Sequence, residues 1–182
     1  MASIDLDRLR TQARIAYEWA RIRDALLGIV PAVALVALTL CVAERPSSSL
    51  AFGSLMIVMS GAMLWYGRAP QRAVLPGIAA GLLPLVMALC ANQVHSCGPD
   101  GCTSWCVPAC SLGGLVAGLA IGNVGRAKGG GAAFWLSASG LALTTGAMGC
   151  SCIGYSGVIG LGLGFGGGLV PELFRRIFGR AR

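Results

Sequence analysis

Charge is almost absent from the middle of this chain. Between Val30 and Gly125 the only formally charged residues are Glu44, Arg45, Arg68, Arg72 and Asp100. The stretches between them are apolar for the ~20 residues that a helix needs to cross a bilayer. Inside lipid no water satisfies the backbone, so such stretches must bond internally as helices or as a closed barrel. These runs are continuously apolar rather than alternating, which selects helices. Charged residues make up 12% of the 182, about half the share of a soluble domain. The expected fold is all-α, a polytopic membrane bundle of about six transmembrane helices.

The spans are expected near residues 26–43, 50–67, 74–91, 109–123, 132–149 and 153–170. The first run follows an Arg-rich polar segment and lacks a cleavage site, so it reads as a retained span rather than a signal peptide. Three regions follow: a cytoplasmic amphipathic helix over 1–25, the helical bundle over 26–170 with a Cys-rich outer loop at 92–110, and a basic tail over 171–182. Six crossings place Arg8, Arg10, Arg14, Arg21, Arg23, Arg68, Arg72, Arg126, Lys128, Arg175, Arg176, Arg180 and Arg182 on one side. Only Arg45 falls on the other. The positive-inside rule then puts both termini in the cytoplasm. The net charge of +7 is mostly this topological signal, and no direct nucleic-acid binding is expected. The preference for Arg over Lys points to a GC-rich bacterial source, hence to an inner membrane.

The same topology sorts the sulfur. Cys41 and Cys90 end the first and third spans, Cys97, Cys102, Cys106 and Cys110 occupy the outer loop or its exit, and Cys150 and Cys152 form the turn after the fifth span. All eight cysteines therefore gather at the non-cytoplasmic end. An oxidising compartment and an even count point to a disulfide framework. The Gly98-Pro99-Asp100-Gly101 turn would bring Cys97 to Cys102. Cys106 and Cys110 share a helix face if the helix has begun, which makes them awkward partners for each other. Three roles remain open: structural staples, a redox sensor with a reversible pair, or capture of a soft ion such as copper, mercury or zinc. The candidate metal ligands are Cys106, Cys110, Cys150, Cys152 and His95. Their spacing does not match a zinc finger, and a lone loop histidine is more commonly a surface group.

Glycine is periodic as well as abundant, with 28 residues. Gly114, Gly118 and Gly122 repeat every fourth residue in the fourth span, and Gly160, Gly164 and Gly168 do so in the sixth. Gly77 and Gly81 form a shorter ladder in the third span, and Ala138, Ala142 and Gly146 a small-residue version in the fifth. Such ladders let backbones approach within lipid, inside one chain or between copies in a homo-oligomer or membrane complex. Polar groups inside the spans are limited to Ser54, Ser60, Ser137, Ser139, Thr144 and Thr145. No embedded acid, lysine or histidine is expected, which weighs against a proton-coupled transporter. No nucleophile–base pair exists, so an enzyme is not expected.

Residues 3–28 form the one sizeable cytoplasmic segment. Ser3 or Asp5 can cap a helix. Leu6, Leu9, Ala13, Tyr17 and Ala20 make one apolar stripe and Ile15, Trp19 and Ile22 another, with Arg10, Arg14, Glu18 and Arg21 between. Such a helix lies on anionic lipid or docks a cytoplasmic partner. For docking, Arg14, Tyr17 and Trp19 are the expected anchors.

From Thr103 to Gly168 the chain resembles the NrsF-type six-span bacterial membrane anti-sigma factors. "SWCVPAC" is similar to that family's Ser-Trp and cysteine at the start of the fourth span. "TTGAMGCSC", with Tyr155 and Gly157 after it, is similar to the approach to its second cysteine. The resemblance implies a cysteine pair at Cys106 or Cys110 and at Cys150. It also implies an N-terminal segment that holds a sigma factor inactive until an outside signal alters the thiols.

Overall fold

A computed structural model of the chain describes residues 2–42, 46–66, 68–94, 103–151 and 154–178. His95, Cys97, Cys102, Cys152 and the 98–101 turn lie outside the described residues. Six α-helices follow in chain order: α1 (Ala2–Val42), α2 (Pro46–Tyr66), α3 (Arg68–Val94), α4 (Thr103–Ala127), α5 (Ala132–Cys150) and α6 (Tyr155–Phe178). No strand occurs among the described residues, so the all-α expectation holds. Four stretches are long and apolar enough to cross a membrane: Ser47–Trp65, Pro70–Cys90, Cys106–Ala127 and Tyr155–Arg175. This is consistent with a membrane protein. The apolar part of α1, Gly28–Cys41, is shorter, and the polar residues of α5 keep it below that class.

The boundaries differ from the expected ones in two informative places. Residues 2–25 and the first apolar run form one uninterrupted 41-residue helix, with Pro31 inside it. The fourth helix begins at Thr103, so Cys106, Pro108 and Cys110 belong to α4 rather than to an outer loop.

Helices α3 and α5 form the centre, each contributing to all three apolar clusters of the core. Their seam pairs the two short ladders. A methyl at Gly77 would meet the Ala138 carbonyl oxygen and Leu141 Cβ at 2.9 Å, and one at Gly81 would lie 2.6 Å from Thr145 Cβ. The ladders of α4 and α6 interlock more closely still. Gly114 faces the Leu161 carbonyl and Phe165 nitrogen, and Gly118 faces the Phe165 carbonyl and Gly168. Gly164 faces the Ser111 carbonyl, and Gly168 the Leu115 carbonyl. Without a hydrophobic drive between helices in lipid, this backbone approach supplies the packing. Gly160 joins the seam against Ser111 and Val107, whereas Gly122 lies beyond it, with only Glu172 Cβ at 3.7 Å.

Pro84 cannot donate a backbone hydrogen bond to the turn before it. Its ring is fully buried at the junction of three helices, against Gly113 of α4 and Gly146 of α5. Buried hydroxyls on α5 bond to their own helix: Thr144 Oγ1 donates to the Gly140 carbonyl at 2.9 Å and Thr145 Oγ1 to that of Leu141 at 2.7 Å. These hydroxyls thus enter the core already bonded to their own helix, and Thr145 Oγ1 also lies 3.1 Å from Met56 Sδ of α2.

Candidate functional site

The contacts between helices orient the whole molecule. α1 and α2 are antiparallel, with Gly28 on Leu64 at one end and Val36 on Gly53 nearer the other. Gly53 also lies 3.5 Å, from its would-be methyl, to Met148 Sδ near the end of α5. The end of α5, the start of α4 and Cys41 therefore share one end of the bundle, and the N-terminal half of α1 leaves from the opposite end.

At the sulfur end, Cys110 and Cys150 are both 0% exposed and join one cluster with Ala88, Ala147 and Leu161. Their thiols share a side-chain hydrogen bond. Beside them Gly149 lies against Leu85 and Ala88 of α3. The chain then turns sharply. Ser151 Oγ donates to the Met148 carbonyl at 3.0 Å, and Gly154 follows with φ of +93°, a left-handed conformation that suits glycine. Cys106, one turn before Cys110, is buried on the same helix face.

The disulfide expectation is corrected for the described cysteines: Cys41, Cys90, Cys106, Cys110 and Cys150 form no disulfide with one another. The geometry explains this in part, since Cys106 and Cys110 follow one another on a single helix and Cys41 and Cys90 lie exposed on α1 and α3. Of the two pairings that the family resemblance implied, Cys110 is the residue that Cys150 meets. Among the described residues no group of three or more His, Cys, Asp or Glu side chains is placed to hold a metal ion.

At the opposite end, α1 is exposed from Arg8 to Ala20. Tyr17 is 62% exposed and Trp19 70% exposed. The Arg14 guanidinium pairs with Glu18 one turn on, Nε to Oε1 at 3.4 Å. Residues two apart on a helix point to different sides. Arg14 and Tyr17 therefore lie along one side, while Trp19 lies with Ile15 and Ile22 along the other. The expected anchors do not form one patch.

One group of residues escaped the reading of the sequence. Ending the last span at residue 170 left Glu172 outside it, whereas the apolar stretch of α6 runs through Tyr155–Arg175 and so contains this carboxylate. Glu172 and Trp135 line a cleft of about 700 Å³ between α5 and α6. The available signal was Pro171-Glu172 just ahead of the Arg175-Arg176 pair, an acid preceding the basic residues that end a span. Compared with known proteins, the chain matches no family model, no curated protein and no solved structure.

Proposed function

We propose that the protein is a bacterial inner-membrane regulator of the anti-sigma type. In this reading all six helices cross the bilayer, both termini are cytoplasmic, and the sulfur end faces outward. The observation that carries it is the Cys110–Cys150 pair, which joins α4 to α5 at the end opposite the exposed arm of α1. Two thiols on different helices form a two-electron switch. A disulfide outside the cell exchanges with them: the Cys110–Cys150 bond forms, and the incoming disulfide leaves as two thiols. A sulfur–sulfur bond of ~2.05 Å is shorter than any thiol contact, so its formation pulls the start of α4 toward the end of α5. α5 packs on α2, and α2 on α1, which gives the movement a continuous route to the arm. The arm then changes its hold on a cytoplasmic sigma factor.

The soft-metal reading has less support, because Cys106, Cys110 and Cys150 do not by themselves make a metal-holding group. Stapling has less support too, because no disulfide joins the described cysteines. The test uses the full chain in membranes. Treatment with a thiol oxidant should produce a faster-migrating form that Cys110→Ser and Cys150→Ser each abolish, and a sigma factor should co-purify from reduced but not oxidised membranes. The reading is lost if no sigma factor is retained, and if removing the residues before Arg21 leaves gene expression unchanged.

A further inference from the structure

The 41-residue α1 carries one pattern along its whole length. Counting alternately three and four residues from Leu6 leads through Leu9, Ala13, Ala16 and Ala20 in the arm. The same count continues past Arg23 and Leu27 to Val30, Ala34, Ala37 and Cys41 in the apolar half. Every described side chain in this stripe is exposed, Leu9 by 59% and Val30 by 58%. The principal neighbour of α1 is α2, and Ala32, Val36 and Thr39 are buried. Each of these three is two residues from a member of the stripe, and so lies on the other side of the helix. The stripe turns away from the rest of the chain.

We propose that α1 pairs with α1 of a second copy of this chain as a parallel two-stranded coiled coil. An average spacing of about 3.5 residues keeps one seam facing a partner while two helices wind around each other. From Leu6 to Cys41 the stripe is about 54 Å long, so a hydrocarbon core of ~30 Å covers little more than half of it. The rest meets water, where a solitary helix is marginal because most helical stability comes from packing. An occupant that covers both parts must itself run as one helix through the bilayer and beyond it. A second copy does so, and copies inserted with one topology run parallel and at the same depth. The small side chains of the stripe let the two backbones approach. At about 10 Å wide the stripe gives about 1,100 Å² over both copies, above the ~1,000 Å² of a specific interface. Arg23, its one charged member, stands where the arm meets the apolar run, and a polar group at one such position fixes register at a cost in stability. Tyr17, Trp19 and Pro31 flank the seam without entering it, which leaves both aromatic rings open to another partner. The inference rests on α1 crossing the bilayer, and is independent of the Cys110–Cys150 switch and of any sigma factor.

Cys41, exposed at the last position of the stripe, supplies the test. In a parallel pair it faces its own copy across the seam, and a disulfide needs Cβ atoms ~3.5–4.5 Å apart. The full chain, with Cys90, Cys97, Cys102 and Cys152 replaced by Ser and the three buried thiols kept, would be treated in membranes with copper phenanthroline. Two Cys41 thiols then give up two protons and, to the copper(II), two electrons. A band of doubled mass should appear on a non-reducing gel, and Cys41→Ser should abolish it. In that Cys41→Ser background, Ala37→Cys lies on the stripe and Leu38→Cys, also exposed, one residue off it. The first should link at least about fivefold more than the second, because only stripe positions reach disulfide geometry. Ala16→Glu keeps a good helix former at an exposed position of the arm, yet puts a charge into the seam. It should cut the Cys41 cross-link about fivefold or more, since seam positions set pairing. Random collision in the membrane would not respond to a change so far along the helix. The proposal is overturned if Cys41 gives no dimer, if Ala37→Cys and Leu38→Cys link equally, or if Ala16→Glu leaves the yield unchanged.

Discussion

Gly118 and Gly122 look equivalent in the amino-acid sequence, since both continue one four-residue ladder, yet their surroundings differ. Gly118 sits against the Phe165 carbonyl and Gly168, where any side chain must push two backbones apart; a methyl at Gly122 would meet only Glu172 Cβ, at ordinary contact distance. Gly118→Ile should lower stability by about 1–3 kcal/mol, the cost of overpacking a close interface, while Gly122→Ala should fall within about 0.5 kcal/mol of wild type. Thermal or denaturant unfolding in detergent would separate them; equal losses would mean the α4–α6 seam runs one turn further than the contacts place it. The ladders themselves were legible because lipid leaves close backbone approach as the main adhesive. Where each ladder stops was not, since that depends on the angle at which two distant helices cross. The same limit applies to sulfur. Cys150 meets Cys110 from a different helix, with Gly149 beside it packed on α3, and no local spacing encodes that.

The longest element, α1, spans about 60 Å at 1.5 Å per residue, twice the ~30 Å of a hydrocarbon core. In the proposed six-span topology about half of it projects from the bilayer. Its polar and apolar halves were legible separately, from arginines and from hydropathy. Their continuity was not, because Gly28 and Pro31 resemble a break. Gly28 instead gives room to Leu64 of α2, whose Cδ1 would lie 2.9 Å from a methyl at that position. The arm's exposed pair of Arg14 and Glu18 contributes only about 0.3–0.5 kcal/mol, as surface pairs of this spacing do. Glu18→Ala should thus leave helicity and membrane insertion unchanged. Tyr17→Ala and Trp19→Ala probe opposite sides of the arm. If a partner wraps the helix, each should weaken its capture about tenfold or more, the loss of a single hot-spot side chain. If it lies along one side, only one of the two will. A pull-down with both variants distinguishes the cases, and loss of capture in neither would remove the arm as the output.

For the molecule as a whole, α1 and α5 are the two helices outside the four-span class, and α5 decides whether the turns on its two sides face opposite compartments. It has 19 residues, about 28 Å of helix, close to the ~30 Å core. Its hydropathy is held down by Ser137, Ser139, Thr144, Thr145 and its glycines. A lipid-facing helix would suffer for this, but α5 is covered by α2, α3, α4 and α6, and its threonine hydroxyls bond to its own carbonyls. A central helix can cross with less apolar surface than its neighbours, because protein rather than lipid surrounds it. The ends of α5 provide the measurement. Lys128 is exposed on the turn before it, and Tyr155, 90% exposed, begins the helix after it. Lys128→Cys and Tyr155→Cys would each be made with Cys41, Cys90, Cys97, Cys102 and Cys152 replaced by Ser, leaving the three buried thiols in place. An impermeant maleimide should label the Tyr155→Cys protein in intact cells and the Lys128→Cys protein only in inverted vesicles. Labelling both from one side would mean that α5 does not cross, which would separate the sulfur end from the outside and leave the Cys110–Cys150 pair without its oxidising compartment. Labelling both with the sides exchanged would keep six crossings and turn the arm outward, away from any cytoplasmic partner.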